Sequence, residues 1–160
     1  MSATQVQSEV LDYIGGAWRK PTSEATTDVL NPATGEVIAR SPAGSAADVA
    51  AAVDAASAAF PAWRSTPPAD RIQYLFRLKQ LLEDHFEELA KLITTENGKT
   101  LGEAKGELRR GIENVEVACG IPTLMQGYNL ENVAAGIDES MFRQPLGVVA
   151  VITPFNFPAM

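Results

Sequence analysis

The chain has a single cysteine and a single histidine, and that scarcity excludes whole classes of chemistry. Cys119 alone cannot close an internal disulfide, and a single histidine, His85, is not expected to build a metal site with the residues around it, so no metal is expected. Basic residues are also few. Thirteen Lys and Arg against 20 Asp and Glu leave a formal charge of −7, which argues against nucleic acid or an anionic membrane surface as partner and points to small molecules or proteins. No apolar run approaches the roughly 20 residues that span a bilayer. Met1-Ser2-Ala3-Thr4-Gln5 has neither the basic start nor the apolar stretch of a signal peptide, so a cytoplasmic location is expected. Internal repeats and low-complexity tracts are absent. So is any G-x-G-x-x-G after an apolar strand, which removes the ordinary dinucleotide fingerprint.

What remains is the composition of an ordinary globular domain, 46% hydrophobic and 21% charged over 160 residues. Met1 to about Val10 is polar and expected to fray. Gly15-Gly16 between Tyr13-Ile14 and Ala17-Trp18 predicts a tight hairpin in which both glycines take positive φ. A second hairpin pairs Val29-Leu30 with Val37-Ile38 across Asn31-Pro32-Ala33-Thr34-Gly35. Gly15, Gly16 and Gly35 read as turn residues rather than phosphate binders, because no helix start follows any of them directly. Ser45-Ala46-Ala47-Asp48 is a capping-box variant. It opens a helix whose Val49, Val53, Ala56, Phe60 and Trp63 form a core-facing stripe, bent or ended near Pro61. Thr66-Pro67-Pro68 starts a second helix with Ile72, Leu75, Phe76, Leu78 and Leu82 on its apolar face. Phe86, Leu89, Ala90 and Ile93 mark a third, stopped by Asn97-Gly98, with His85 at its start on the surface.

Thr100-Leu101-Gly102-Glu103 is a full capping box. The helix it opens carries Leu101, Ala104, Leu108, Ile112, Val115 and Cys119 down one face to a kink at Pro122. Cys119 therefore reads as a buried structural thiol, since nothing in sequence reach would lower its pKa. Glu103, Lys105, Glu107, Arg109, Arg110, Glu113 and Glu116 read as a solvated face. Two strands are predicted around Asn132 to Ile137 and Ser140 to Gln144, separated by Gly136 and acidic residues.

The last fourteen residues carry the candidate chemistry. Val148 to Ile152 is a continuous apolar run that fits a parallel strand covered on both faces. Thr153-Pro154 ends it, and Pro158 suits the first position of a helix. Asn156 thus falls in a turn at the carboxyl end of a strand, where open α/β sheets bind ligands. Spacing alone favours a helix cap or an Asx turn for Asn156, the usual role of Asn at such a place.

The string Pro154-Phe155-Asn156-Phe157-Pro158 after Gly147-Val148-Val149-Ala150-Val151-Ile152 resembles the aldehyde dehydrogenase superfamily, which carries a Pro-(Trp/Phe)-Asn-Phe-Pro turn there. Phe155 with Pro158-Ala159-Met160 is most similar to the CoA-acylating methylmalonate-semialdehyde branch. Glu96-Asn97-Gly98-Lys99 matches the family's Glu-x-Gly-Lys between two helices. The resemblance implies an α/β, aldehyde dehydrogenase-like fold: small β hairpins, four helices, an oligomerisation hairpin and the first strand of a Rossmann-like parallel sheet. It implies residues 1–129 as hairpins and helices of the NAD-binding domain, 130–146 as the oligomerisation hairpin, and 147–160 as the first Rossmann-like strand and turn, incomplete. It also implies Asn156 as the oxyanion-hole donor, with Ile152, Thr153, Pro154 and Phe155 lining the nicotinamide end of an NAD site.

The expected activity is NAD-dependent oxidation of a small (methyl)malonate-type semialdehyde through a cysteine thioester released to coenzyme A or to water. The complete protein is expected to be a homo-oligomer, dimer or tetramer. The family's nucleophilic Cys and the rest of its sheet are expected beyond Met160. The other reading is that the chain is a non-catalytic fragment or an oligomerising module.

Overall fold

The computed structural model describes residues 10–160; the polar stretch expected to fray, up to Glu9, lies outside the described residues. Three separate two-stranded antiparallel sheets flank a set of helices. β1 (Asp12–Ile14) and β2 (Ala17–Arg19) meet through Gly15 and Gly16, whose φ values of 62° and 80° give the turn that matches strand twist. Tyr13 lies opposite Trp18, with ring centroids 4.9 Å apart. β3 (Thr26–Leu30) and β4 (Val37–Pro42) form the second hairpin, with an irregularity between Val29 and Leu30 and Gly35 at φ 74°.

α1 (Ala46–Ser65) begins at the predicted capping box, in which Ser45 Oγ accepts from Asp48 N and Asp48 Oδ2 accepts from Ser45 N at 2.7 Å. Asp48 does more than cap. Its Oδ1 accepts from Thr22 N and its Oδ2 from Thr22 Oγ1, both at 2.9 Å, so one buried carboxylate fastens the segment ahead of β3 to the first helix. Two expectations for this helix are corrected. Pro61 does not end it, since the helix runs on to Ser65. The stripe Val49, Val53 and Trp63 stays exposed, and α1 packs on β1 rather than on the helical core.

α2 (Pro68–Asp84) and α3 (Phe86–Asn97) join at the exposed His85, which pairs with Glu88 at 2.9 Å. α3 stops at Gly98, whose φ of 83° is the left-handed conformation expected there. α4 (Leu101–Cys119) starts from Thr100 with both capping-box bonds present, and Cys119 is buried as predicted. After Gly120 the chain makes one further short helix, α5 (Ile121–Leu124), with Pro122 near its start, where a missing N–H costs nothing. The core lies between α3 and α4: Ala90, Ile93, Ala104, Leu108 and Ile112, with Leu82, Phe86 and Leu89 packed against them. Arg109 reaches from α4 to Glu83 on α2 through two bonds of 2.8 and 2.9 Å.

The projecting hairpin is β5 (Asn129–Ala134) with β6 (Ile137–Ser140), exposed along both strands. Its strands are shifted toward the amino terminus relative to expectation because Gly136, at φ 74°, forms the turn itself instead of ending the first strand. A second correction concerns Val148 to Ile152. No described residue pairs with this run and most of it is uncovered, because a parallel strand acquires its ladder only from neighbours, and none is present among the described residues.

The Asp48 junction predicts a pH response. Backbone N–H donation from Ser45 and Thr22, reinforced by both hydroxyls, outweighs burial and lowers the carboxyl from 3.8 to about 2. A depressed folded pKa stabilises the fold above the unfolded value, and that stabilisation is lost as pH falls from about 4 toward 2. Urea unfolding followed over this window should lose stability on acidification, and the loss should be smaller in Asp48→Asn.

Candidate active site

Residues Thr153 to Met160 lie against the junction of α3 and α4, held there almost entirely through their backbone. Phe157 N donates to Pro154 O at 3.1 Å, closing a turn with Phe155 and Asn156 at its centre. Asn97, the last residue of α3, donates from Nδ2 to Phe155 O at 2.8 Å. Lys99, in the two-residue link to the α4 cap, donates from Nζ to Asn156 O at 2.7 Å and to Glu107 Oε2 at 2.5 Å. The other oxygen of Glu107 accepts from Ala159 N at 2.8 Å. Further along α4, Asn114 Nδ2 lies 3.4 Å from Met160 O.

Glu107 therefore contradicts the expectation of a solvated face on α4. Its side chain has no exposed surface. Burial pushes the carboxyl up, but the Lys99 ammonium and the Ala159 N–H more than offset this and hold it below the usual range, so the group stays ionised. Removing one partner of such a buried pair generally costs about 3–5 kcal/mol.

The geometry of the helix explains the placement. Ala104, Glu107, Leu108, Gly111 and Ile112 are all buried, and their i, i+3, i+4, i+7, i+8 spacing is one continuous face. A carboxylate and a glycine on an otherwise apolar stripe were thus a readable sign that something polar and close-lying covers it. That something is the Ala159-Met160 backbone. A Cβ on Gly111 would stand 3.2 Å from Ala159 O and 3.5 Å from Met160 Cα.

Around the turn, Phe157 is half-buried with Lys99 Nζ 4.9 Å and the Arg110 guanidinium 5.0 Å from its ring centroid. Pro158, Ala159 and Met160 close one end of a groove of about 580 Å³ lined by Leu75, Leu78, Leu92 and Val115.

The predicted site residues fall together on the outer side of this arrangement. Asn156 is exposed, and among the described residues its side-chain amide has no hydrogen-bond partner; only its carbonyl is engaged, by Lys99. The turn is closed by the backbone bond from Phe157 N to Pro154 O, and no Asx turn is formed by the Asn156 side chain among the described residues. Ile152 is 94% and Phe155 99% exposed, with Thr153 and Pro154 exposed between them. No group of three or more His, Cys, Asp and Glu capable of holding a metal occurs among the described residues. Nor is any helix among them long and apolar enough to cross a membrane.

The sequence profile of the aldehyde dehydrogenase family matches residues 18–160, nearly the whole chain and all of this site. The chain belongs to the aldehyde dehydrogenase family. It is 51% identical over all its 160 residues to malonate-semialdehyde dehydrogenase 2 of Oceanobacillus iheyensis, and covers 33% of that protein. With malonate-semialdehyde dehydrogenase 2 of Geobacillus thermodenitrificans it shares 55% over 149 residues, which is 93% of this chain and 31% of that one. Among solved structures, the methylmalonate-semialdehyde dehydrogenase of Oceanimonas doudoroffii superposes at a TM-score of 0.87 with 49% identity, over 92% of this chain and 30% of that one. A Sinorhizobium meliloti structure complexed with NAD gives a TM-score of 0.90 at 42% identity, over 98% and 32%. The chain thus spans about a third of the length of the relatives it matches, their amino-terminal part.

The contact between Gly111 and the tail predicts a contrast between two glycines of α4. Replacing Gly by Ala inside a helix usually stabilises by about 0.5–1 kcal/mol. Gly106→Ala should show that gain, because nothing lies within 4 Å of its Cβ position, whereas Gly111→Ala should show less or a loss. Equal gains in denaturant unfolding would mean that the tail does not rest on α4.

Proposed function

We propose that these residues form the amino-terminal part of an NAD-dependent aldehyde dehydrogenase acting on a small malonate- or methylmalonate-type semialdehyde, and that Asn156 is its oxyanion donor. The observation that carries this reading is the Asn156 turn: a neutral amide on an immobilised backbone, with its side chain uncommitted. A thiolate adding to an aldehyde carbon leaves the carbonyl oxygen negatively charged. An amide N–H aimed at that oxygen stabilises it, and being neutral it does not draw charge from the thiolate beside it. Hydride loss from the adduct yields a thioester, which coenzyme A or water then cleaves. The Phe155 form of the motif, with its resemblance to the acylating branch, supports coenzyme A.

The residues present fit a nicotinamide cofactor, which would supply the hydride acceptor. Ile152 and Phe155 are uncovered apolar side chains at either end of the Thr153-Pro154 link, suited to lie against a flat ring beside the Asn156 amide. We assign residues 1–129 and 147–160 to the cofactor domain and 130–146 to a hairpin that pairs with another subunit in a dimer or tetramer. Leu130, Val133 and Ile137 on that hairpin are exposed, and open strand edges invite pairing. Cys119 is buried on α4 and is not the nucleophile. These 160 residues alone therefore lack a reactive thiol, which supports a second reading of the isolated chain as a non-catalytic module.

In the full-length protein carrying this segment, Asn156→Ala should lower kcat by roughly 100- to 1000-fold, the effect of losing one oxyanion donor. NAD affinity and melting temperature should change little, and Cys119→Ser should keep turnover close to wild type. A structural role for Asn156 would instead cost about 1 kcal/mol of stability with turnover intact.

A further inference from the structure

We propose that Lys99 and Glu107 are positioning residues for the reaction, a buried ion pair that sets the direction of the Asn156 amide. The proposal rests on the oxyanion role for Asn156. A side chain with no partner of its own is aimed only by its backbone and rotamer, so whatever fixes the backbone fixes the donor. Here a single ammonium bonds the carbonyl of Asn156 itself and a carboxylate whose second oxygen holds Ala159 N, three residues on. Asn97 holds the carbonyl one residue before.

The turn is thus gripped at Phe155, Asn156 and Ala159. Three of the atoms involved, Lys99 Nζ and the two carboxylate oxygens of Glu107, belong to two side chains that touch no reacting group. Lys99 and Glu107 are eight positions apart, but the αL stop at Gly98 and the Thr100 cap turn the chain so that Lys99 reaches over the first turns of α4. The pair itself is shielded, Lys99 being 13% and Glu107 0% exposed on the side chain, so the ammonium is held in place beside the Asn156 carbonyl by a carboxylate that water does not reach. The other cations close to Glu107 in sequence on α4 are Lys105, Arg109 and Arg110, and Arg109 is paired with Glu83. Arg110 is over the Phe157 ring and Lys105 pairs with Glu87 on α3, leaving Lys99 as the cation that grips Glu107 among the described residues.

The test is a kinetic cycle in the full-length protein, using Asn156→Ala, Lys99→Met, the charge-free pair Lys99→Met with Glu107→Gln, and each combined with Asn156→Ala. The charge-free pair leaves no buried ion unpaired and so folds even if Lys99→Met alone does not. Misplacing a catalytic group by about 1 Å can cost on the order of 100-fold. The clamp variants should therefore lose about 10- to 100-fold in kcat with NAD dissociation constants unchanged. Combined with Asn156→Ala they should lose nothing further, because they act through that amide. Lys99→Arg should recover part of the turnover.

Losses that multiply in the combined variants would overturn the proposal, since the pair would then act independently of Asn156. Full turnover in the charge-free pair, beside a large loss in Asn156→Ala, would overturn the clamp and leave the oxyanion reading standing. Full turnover in Asn156→Ala would overturn the oxyanion reading and the clamp with it.

Discussion

The carboxylate of Glu107, fully removed from solvent on a helix that otherwise turns small and aliphatic residues inward, is the constraint around which this segment is arranged. An ionised group there is tolerable only if both oxygens are engaged, and they are, by the Lys99 ammonium and the Ala159 amide. Satisfying one buried charge thereby fixes three things together: the reach of Lys99 across the α3–α4 corner, the docking of the last residues on α4, and the path of the Thr153–Pro158 turn. Gly111 extends the same surface, its missing side chain giving the Ala159-Met160 backbone room to lie down.

In the proposed mechanism the arrangement separates holding from reacting. Backbone carbonyls and an amide are used to anchor the turn, while the Asn156 side chain, Ile152 and Phe155 are left on the outside, uncommitted. A donor that must meet a charge present mainly in the transition state gains from being fixed in advance and from having no ground-state partner to give up. The long uncovered apolar run from Val148 to Ile152 is consistent with a chain that spans about a third of its relatives' length, where a parallel strand would find its neighbours.

Local signals in the sequence translated well because their physics is local. The Ser45/Asp48 and Thr100/Glu103 boxes, the two-glycine turn at Gly15-Gly16 and the left-handed stop at Gly98 are each decided within a few residues, and all are present. Cys119 was placed correctly because it continues a stripe that α2 and α3 cover. The errors came where burial is set by distant partners. Pro61 stays in its helix, and most of the α1 stripe stays exposed, with Trp63 meeting the helices at Tyr74 of α2. Charge alone groups Glu107 with its solvated neighbours, although its spacing from Ala104, Leu108 and Ile112 puts it on the inward face. The Glu-x-Gly-Lys segment showed only its capping chemistry, because the carbonyl that Lys99 binds lies 57 residues away.

The most direct measurement of this account is amide hydrogen exchange at Ala159 in the intact protein. A backbone N–H bonded to a buried carboxylate should exchange at least about 100-fold more slowly than an open chain, an opening free energy near 3 kcal/mol. That protection should vanish in Glu107→Ala while the amides of α3 keep theirs. Exchange of Ala159 at the open-chain rate in the unaltered protein would contradict the account, because the turn bearing Asn156 would then not be anchored to α4.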